Sequence, residues 1–509
     1  MTNLLSPLRR AVSCYAEREA VVCGDVHLTY AETWERCQRL HGALRSLGLE
    51  RGDRVAVAAA NSLQYLELYQ TIPGAGLVIV PLNTRHTEAE LRYALADSGT
   101  RVLFTDLTVP DDIVERVVRL PDGYEALLAA ADPVDFPDDL SVDSVRGDDV
   151  TGGDLAGLFY TGGTTGAAKG VMLTHRNLVA NAFHLMATWP FSPGTRWLVA
   201  SPLFHAAGTF AVGATVFNGG CHVVLPAFSP AGFLDLVADE QATHTLVVPT
   251  MLAAIADEQL ARPRAVPTLR YLAHGASPIA SEVLRRTVAA LPDLALLHLY
   301  GATETAPIAT ALIDEQFELD GPRAGSCGRP AIGVEIEIRD GDRACAAGEI
   351  GEVVIRGDNV MRGYWNKPDQ TAAVLHDGSY RSGDLGYLSA DGCLFLVDRL
   401  KDMIVSGAEN VYSTEVEEAL YRHPGVLEAA VFGVPDERWG EAVHAVVVPR
   451  NEGITVDELI EHCRGLISGY KMPKAIELRT EPLPKSGAGK VLKRELREPF
   501  WAGHDHRIA

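Results

Sequence analysis

Between Gly52 and Thr303, short apolar runs take turns with helical patterns, and this alternation constrains the fold more than any other feature of the 509-residue chain. The runs are "DRVAVAAAN", "GLVIVPLN", "RVLFTD", "LAGLFYT", "RWLVASPLF", "CHVVLPAF", "HTLVVPT", "LRYLAHGAS" and "LALLHLYGAT". Their centres are apolar on successive residues, as in strands covered on both faces. The helical patterns are "AETWERCQRLHGALRSLG", "RNLVANAFHLMATW", "GFLDLVADEQA" and "SEVLRRTVAAL". Strands joined through helices are crossover units, which predicts a mostly parallel, helix-covered sheet. From about Gly321 to Asp398 the text turns Gly-rich and short-stranded, which predicts a β-rich subdomain. The strip "DRLKDMIVSGAENVYSTEVEEAL" opens another unit, with a helix expected to start after Ser413 or Thr414. The predicted class is α/β. A large N-terminal domain (1–400) has mostly parallel sheets and a β-rich subdomain, and a small α+β C-terminal domain follows (401–509).

Composition narrows the function. Hydrophobic residues make up 47%, enough for a large core. The formal net charge of −22 argues against a nonspecific nucleic-acid or anionic-membrane binder. Arg9 and Arg10 precede any long apolar run, so no signal peptide is expected. No apolar stretch approaches the roughly 20 residues that span a bilayer. The eight cysteines form no C-x-x-C pair, which fits free thiols in a reducing compartment, and the expected location is cytoplasmic.

Lysine usage is lopsided. There are eight lysines, the first at position 169, and six of them fall at or after Lys401. Where arginine serves for solvated charge, a lysine marks a place that needs a compact ammonium. Lys169 closes "YTGGTTGAAKG", an apolar strand running into glycines and threonines. Glycines let backbone N–H groups approach phosphate oxygens, threonines add hydroxyls, and lysine adds charge. The loop is not a Walker A sequence, because Gly-Lys-Ser/Thr is missing; "PKSGAGKV" fails for the same reason. Taken alone, the loop reads as a phosphate cradle or a structural turn.

Its context decides. "FYTGGTTGAAKGVMLTH" is followed in order by "PLFHAAG", "HGASP", "YGATET", "YRSGDLG", "DRLKD", "SGAEN", "DERWGE" and "PKSGAGK". Together they resemble the motifs of the adenylate-forming superfamily: acyl-CoA synthetases, nonribosomal-peptide adenylation domains and firefly-type luciferases. In style the chain is most similar to bacterial fatty-acyl and related acyl-CoA synthetases.

The resemblance implies a two-step ligase. A carboxylate attacks the α-phosphate of ATP with Mg²⁺, releasing pyrophosphate, and the CoA thiol then displaces AMP. It places Thr161, Gly162, Gly163, Thr164, Thr165, Gly166 and Lys169 around the β,γ-phosphates, with Thr303 also on phosphate and Glu304 on the metal. Adenine and ribose fall to Gly275, Ala276, Ser277, Tyr300, Gly301, Ala302, Asp384 and Arg399. Lys490 is the implied catalytic lysine, and His205 gates the acid pocket. Lys401 is the implied hinge of a mobile C-terminal domain. Arg85, Ala408, Trp439 and Lys474 fall where relatives meet CoA. Ala206, Ala207, Gly208, Thr250, Met251, Ala302, Ala306 and Pro307 fall in pocket segments, and their small apolar character suggests a roomy, uncharged site for an apolar acid.

Three positions depart from the family pattern. Gly162 replaces a serine, Ala168 a proline and Ala408 a glycine. The expected partners are ATP, CoA and a carboxylic acid, with no nucleic acid and no membrane, and a homodimer is compatible with this reading. Two other readings stay open: loading of an acid onto a carrier-protein phosphopantetheine, and a noncatalytic nucleotide-binding relative. A luciferase-like oxidation shares the adenylation step.

Overall fold

A computed structural model describes residues 3–110, 112–136, 150–161, 168–277, 279–406, 409–436, 438–450, 453–485 and 491–502. The predicted crossover units form two sheets. The nine-stranded sheet runs, edge to edge, Arg329–Pro330, Thr310–Ile313, Ala295–Tyr300, Tyr271–Gly275, His244–Val247, Arg196–Val199, Cys221–Val224, Glu19–Cys23 and Val26–Thr29. Its interior pairs are parallel and both edges are antiparallel. The seven-stranded sheet runs Gly363–Tyr364, Lys169–Thr174, Leu155–Thr161, Val78–Pro81, Arg54–Ala58, Thr100–Thr105 and Arg116–Arg119.

The helix Leu63–Gly74 is buried along its length and packs into the main core. Just before it, Asn61 joins the two sheets. Its amide donates to the carbonyls of Val199, Ser201 and Leu225 at 3.1–3.3 Å, and its oxygen accepts from Leu203 N at 2.8 Å. One buried side chain thus fixes the carboxyl ends of two strands of one sheet against the other, and satisfies four backbone groups in doing so.

The β-rich subdomain is a six-stranded, antiparallel sheet built from Val334–Asp340, Arg343–Ala344, Gly351–Gly357, Leu375–His376, Ser379–Leu388 and Leu394–Arg399. Past residue 400, a separate apolar cluster from Ile404 to Ile476 packs helices against the long hairpin Val426–Asp436 and Gly440–Pro449. The main core cluster draws on residues from Leu4 to Leu396, all before residue 400. No helix among the described residues is long and apolar enough to cross a membrane, and none of the eight cysteines forms a disulfide.

Three features differ from the sequence reading. The hairpin of Glu19–Cys23 and Val26–Thr29 begins the nine-stranded sheet well before Gly52, pairing with Cys221–Val224 far along the chain. Lys169–Thr174 is itself a strand, antiparallel to Leu155–Thr161, so the Gly/Thr loop is the tip of a hairpin. The C-terminal helix Ser413–Tyr421 starts at Ser413 itself, because its cap comes from elsewhere: the Asp398 carboxylate accepts from Ser413 N at 2.5 Å and Ser413 Oγ at 3.1 Å. A carboxylate at a helix N-terminus satisfies an orphan N–H and complements the helix dipole.

Candidate active site

Two neighbouring parallel strands, Tyr271–Gly275 and Ala295–Tyr300, end side by side, and their carboxyl ends form the floor of the site. Ligands in open α/β sheets bind at such ends. Both turns demand glycine. A Cβ on Gly275 would lie 2.2 Å from the Leu299 carbonyl oxygen, and one on Gly301 would lie 1.7 Å from that of Pro307. Ala276 and Ala306 hold left-handed backbone with φ of 68° and 58°, strained for residues with a Cβ. Ala276 is exposed, and Ser277, Gly301, Ala302 and Thr303 are half-buried, so both turns present backbone to the outside. Beneath them His274 and His298 stack with ring centroids 4.9 Å apart, and both engage the buried Glu315.

The structure joins three of the predicted nucleotide residues into one cluster. Tyr300 OH donates to Asp384 Oδ2 at 2.8 Å, and Arg399 Nε lies 3.0 Å from Asp384 Oδ1. Asp384 and Arg399 face each other across antiparallel strands, so their register sets the pair. Asp384 is 8% exposed, yet each oxygen keeps acceptor capacity after these contacts. The predicted hinge follows directly. Burial, joined by the charge of Arg399, pushes the Lys401 ammonium down to about 8, against the pull of Asp402 and Asp384.

A second cluster gathers Glu304, Lys169 and a residue that sequence reasoning missed. Glu304 sits in the single turn Thr303–Thr305, where Thr305 Oγ1 accepts from Ala302 N at 3.0 Å. Tyr364 OH donates to Glu304 Oε1 at 2.8 Å, and Lys169 Nζ lies 4.8 Å from the centroid of the same ring. Tyr364 occupies a two-residue strand, too short to show any periodicity in sequence. Nearby, Asp97 braces the hairpin that carries Lys169. Its Oδ2 accepts from Tyr160 OH at 2.7 Å, and its carbonyl accepts from Trp365 Nε1 at 3.0 Å. Tyr93 OH donates to the carbonyl of Ala168 at 3.1 Å, holding the end of the loop by its backbone.

These donors fit Mg²⁺. Glu304 offers a hard carboxylate oxygen, and no group of three or more His, Cys, Asp or Glu among the described residues could hold a metal. A single hard carboxylate oxygen of this kind could serve Mg²⁺ whose other ligands are phosphate and water oxygens.

Thr161 pairs with Lys169 in the hairpin register, framing the loop predicted to bind phosphate. Gly162, Gly163, Thr164, Thr165 and Gly166 themselves lie outside the described residues, as do Ala408 and Lys490. Lys485 and Val491, the described residues on either side of Lys490, form an antiparallel bridge. His205 caps the short helix Ala206–Thr209, its Nδ1 accepting from Ala207 N at 3.3 Å, which leaves the remaining ring hydrogen on Nε2. Burial pushes this imidazole down to about 4, so it is neutral at physiological pH.

Ala206 and Ala306 meet at a narrow cavity walled by Tyr69, Asn181, Thr209 and Phe210. Ala207 is half-buried beside it in sequence, and the Gly208 backbone packs on the Pro202 carbonyl. Thr250 and Met251 are not part of that cavity: Thr250 is exposed, and Met251 packs against the second core cluster. The remaining CoA candidates are exposed on separate elements. Arg85 precedes the helix Glu88–Ser98, Lys474 precedes the strand Ala475–Leu478, and Trp439, with Arg438 stacked at 4.6 Å, tips the C-terminal hairpin.

The chain is 42% identical over 502 residues to a feruloyl-CoA synthase of Amycolatopsis sp, spanning 97% of this chain and 98% of that one. It is 35% identical over 527 residues to a fatty acid–[acyl-carrier-protein] ligase of Streptomyces coeruleorubidus, spanning 99% and 98%. The structure of o-succinylbenzoate CoA synthetase from Bacillus subtilis in complex with ATP and magnesium ion superposes with a TM-score of 0.86 at 29% identity, covering 96% of this chain and 98% of that one. Residues 8–365 match the model of the AMP-binding enzyme family and residues 415–490 that of its C-terminal domain, and the chain therefore belongs to the AMP-binding enzyme family.

Proposed function

We propose that this protein is an ATP- and Mg²⁺-dependent acyl-CoA synthetase that activates an apolar, aromatic carboxylic acid as its acyl-adenylate and then transfers the acyl group to CoA. The observation that carries the reading is a pair of clusters built on the carboxyl end of one strand, Ala295–Tyr300, and the turn after it: Tyr300–Asp384–Arg399, suited to a ribose, and Glu304–Tyr364–Lys169, suited to a metal-bound polyphosphate. The aromatic acid is favoured by the 42% identity to a feruloyl-CoA synthase.

In this mechanism Asp384 accepts the ribose hydroxyls while Tyr300 fixes its orientation and presents its ring to adenine. The Gly275–Ser277 turn covers the other side of the base. Lys169, with Thr161, Thr303 and the loop 162–166, neutralises the β,γ-phosphates as pyrophosphate leaves. Glu304 would hold Mg²⁺, whose charge would let the acid carboxylate approach an anionic phosphate. Lys490 bridges carboxylate and α-phosphate, and neutral His205 borders the acid. We assign residues 1–400 to nucleotide and acid binding, and 401–509 to a domain that turns about Lys401 between the half-reactions. Arg85, Ala408, Trp439 and Lys474 then serve CoA. Transfer to a carrier-protein phosphopantetheine is the second reading, favoured by the 35% identity to the carrier-protein ligase.

The test is pyrophosphate release with ATP, Mg²⁺ and a panel of aryl and alkyl acids, followed by addition of CoA or a phosphopantetheinylated carrier. Aryl-acid-dependent release, with AMP and thioester appearing on CoA addition, is expected. Release without an acid preference for aryl groups overturns the acid class. Thioester on carrier alone overturns CoA as acceptor, and no acid-dependent release overturns the enzyme reading.

A further inference from the structure

The segment 359–365 is stitched to both halves of the phosphate site. Asn359 Nδ2 donates to the carbonyls of Thr305 at 2.9 Å and Ile308 at 2.6 Å, and Met361 N donates to the Glu304 carbonyl at 2.8 Å. Arg362 N and Trp365 N then donate to the carbonyls of Met172 at 3.0 Å and Gly170 at 2.8 Å, on the strand that begins at Lys169. One stretch of chain thereby spans from the Glu304 turn to the Lys169 hairpin. Tyr364 lies at its centre and is 5% exposed. Its N–H is taken by Thr371 Oγ1 at 2.9 Å.

We propose that Tyr364 is a positioning residue that sets the metal-binding carboxylate of Glu304 and the phosphate-binding ammonium of Lys169 in one geometry, a role that rests on the ATP reading above. The chemistry of the phenol suits both tasks. Its hydroxyl donates to a single oxygen of Glu304, Oε1, which fixes the carboxylate rotamer and leaves Oε2 for a cation. Its ring attracts the Lys169 ammonium through the quadrupole of the π face, and so locates the charge without cancelling it. Among the described residues no carboxylate forms an ion pair with Lys169, and Glu304 is paired with no cation. A direct Lys169–Glu304 salt bridge would neutralise both groups before substrate arrived. The tyrosine instead binds one by its edge and the other by its face, so both charges remain available.

The two contacts separate by substitution in the full-length protein. Tyr364→Phe keeps the ring under Lys169 and removes the hydroxyl, whereas Tyr364→Leu removes both. Binding of ATP is measured by calorimetry in EDTA and across a Mg²⁺ titration, with thermal unfolding recorded for each variant. The Phe variant is expected to bind metal-free ATP within about twofold of the parent, while the Mg²⁺ concentration that half-maximally strengthens binding rises roughly 10-fold, the loss of one hydrogen bond to a charged group. The Leu variant is expected to show that Mg²⁺ shift and, in addition, about threefold weaker metal-free ATP binding from the lost cation–π contact. A Phe variant with an unchanged Mg²⁺ requirement overturns the positioning role. So does a Phe variant whose ATP binding in EDTA falls as far as its binding in Mg²⁺, because that pattern is general damage to the site. A parent protein that binds no ATP in Mg²⁺ overturns the ATP reading itself, and this role with it.

Discussion

Replacing Asp384 by asparagine keeps the volume of a residue that is 8% exposed and removes only its charge. In the parent, Oδ2 accepts from Tyr300 OH at 2.8 Å and Oδ1 faces Arg399 Nε at 3.0 Å. An amide has one acceptor oxygen, so it serves one of these donors and turns its NH2 toward the other. The buried tyrosine is the costlier donor to abandon, so the oxygen should face Tyr300 and the NH2 should face Arg399. The Tyr300 bond then falls from a charge-assisted to a neutral one, a loss of about 1 kcal/mol. Arg399 is 38% exposed and regains water, which limits that loss to at most about 1 kcal/mol. The fold should therefore survive with a destabilisation of about 1–2 kcal/mol. Function should suffer more, because the remaining oxygen is the only acceptor for the ribose hydroxyls. Losing one charge-assisted hydrogen bond there costs about 1.5–3 kcal/mol, or roughly 10- to 150-fold in kcat/KM for ATP. Initial rates of acid-dependent pyrophosphate release, with ATP varied at saturating acid, measure this directly. Tyr300→Phe is the control: it leaves the carboxylate charge in place, and about 1 kcal/mol, or roughly fivefold, is expected. An Asp384→Asn enzyme with an ATP KM within twofold of the parent and a raised KM for the acid would refute the ribose assignment.

Gly301→Ala should abolish the site rather than tune it, because its Cβ would meet the Pro307 carbonyl oxygen at 1.7 Å; a cost of about 3 kcal/mol or more should appear as lost nucleotide binding with far-UV circular dichroism largely retained. Lys401→Pro, which fixes φ near −65°, should leave adenylation intact and lower thioester formation from preformed adenylate about 10-fold or more; unimpaired overall turnover would place the hinge elsewhere. Stability should fall on acidification from pH 6.5 toward 4. Burial pushes His175, His222 and His244 down to about 4 from their ordinary 6.5, so in that window the unfolded chain takes up protons that the folded chain does not. Above pH 6.5 the contribution is fully present, and below it each histidine costs about 1.4 kcal/mol per pH unit. Calorimetric melting temperatures at pH 7.5, 6.5, 5.5 and 5.0 check this, and a flat profile down to pH 5.0 refutes it.

The parts of the fold that the sequence made legible are those with a local cause. Apolar strands such as Val55–Ala58 and Leu246–Val247 are buried on both faces, so each announces itself within a few residues. The edge strand Val26–Thr29 is exposed or half-buried throughout, and its Val-His-Leu-Thr alternation is too short a window to announce a strand by itself. Its partner Glu19–Cys23 is a strand largely because Cys221–Val224 lies beside it, and no window of sequence contains both. The site divides along the same line. Lys169 stood out because lysine is rare in this chain, whereas Gly275, Gly301 and Glu304 were legible only through the resemblance of their motifs to a known family. Tyr364 did not, since its two neighbours in space are Glu304 and Lys169, 60 and 195 residues away along the chain.

Asp398 shows how such long-range causes also reach the boundary between the two parts of the chain. Read locally, Ser413 and Thr414 look like caps for the helix that follows, since short hydroxyl side chains favour that position. In the structure the capping oxygen belongs to Asp398, which also accepts from its neighbour Arg399 N at 2.7 Å, while Lys493 Nζ donates to Ser413 Oγ at 2.7 Å and pairs with Glu417 at 2.7 Å. Burial raises the Asp398 carboxyl, and Lys493 pulls it back by its charge. The consequence follows from the position of Lys401 between Asp398 and Ser413. Any rotation about that residue must either carry this cap intact, with the bend confined to the loop between them, or break a buried charge-assisted contact. Losing a hydrogen bond to a charged group costs about 1.5–3 kcal/mol, which contacts in the other conformation would have to offset at every turnover. The geometry therefore ties the freedom of the predicted hinge to the fate of a single buried aspartate that precedes it.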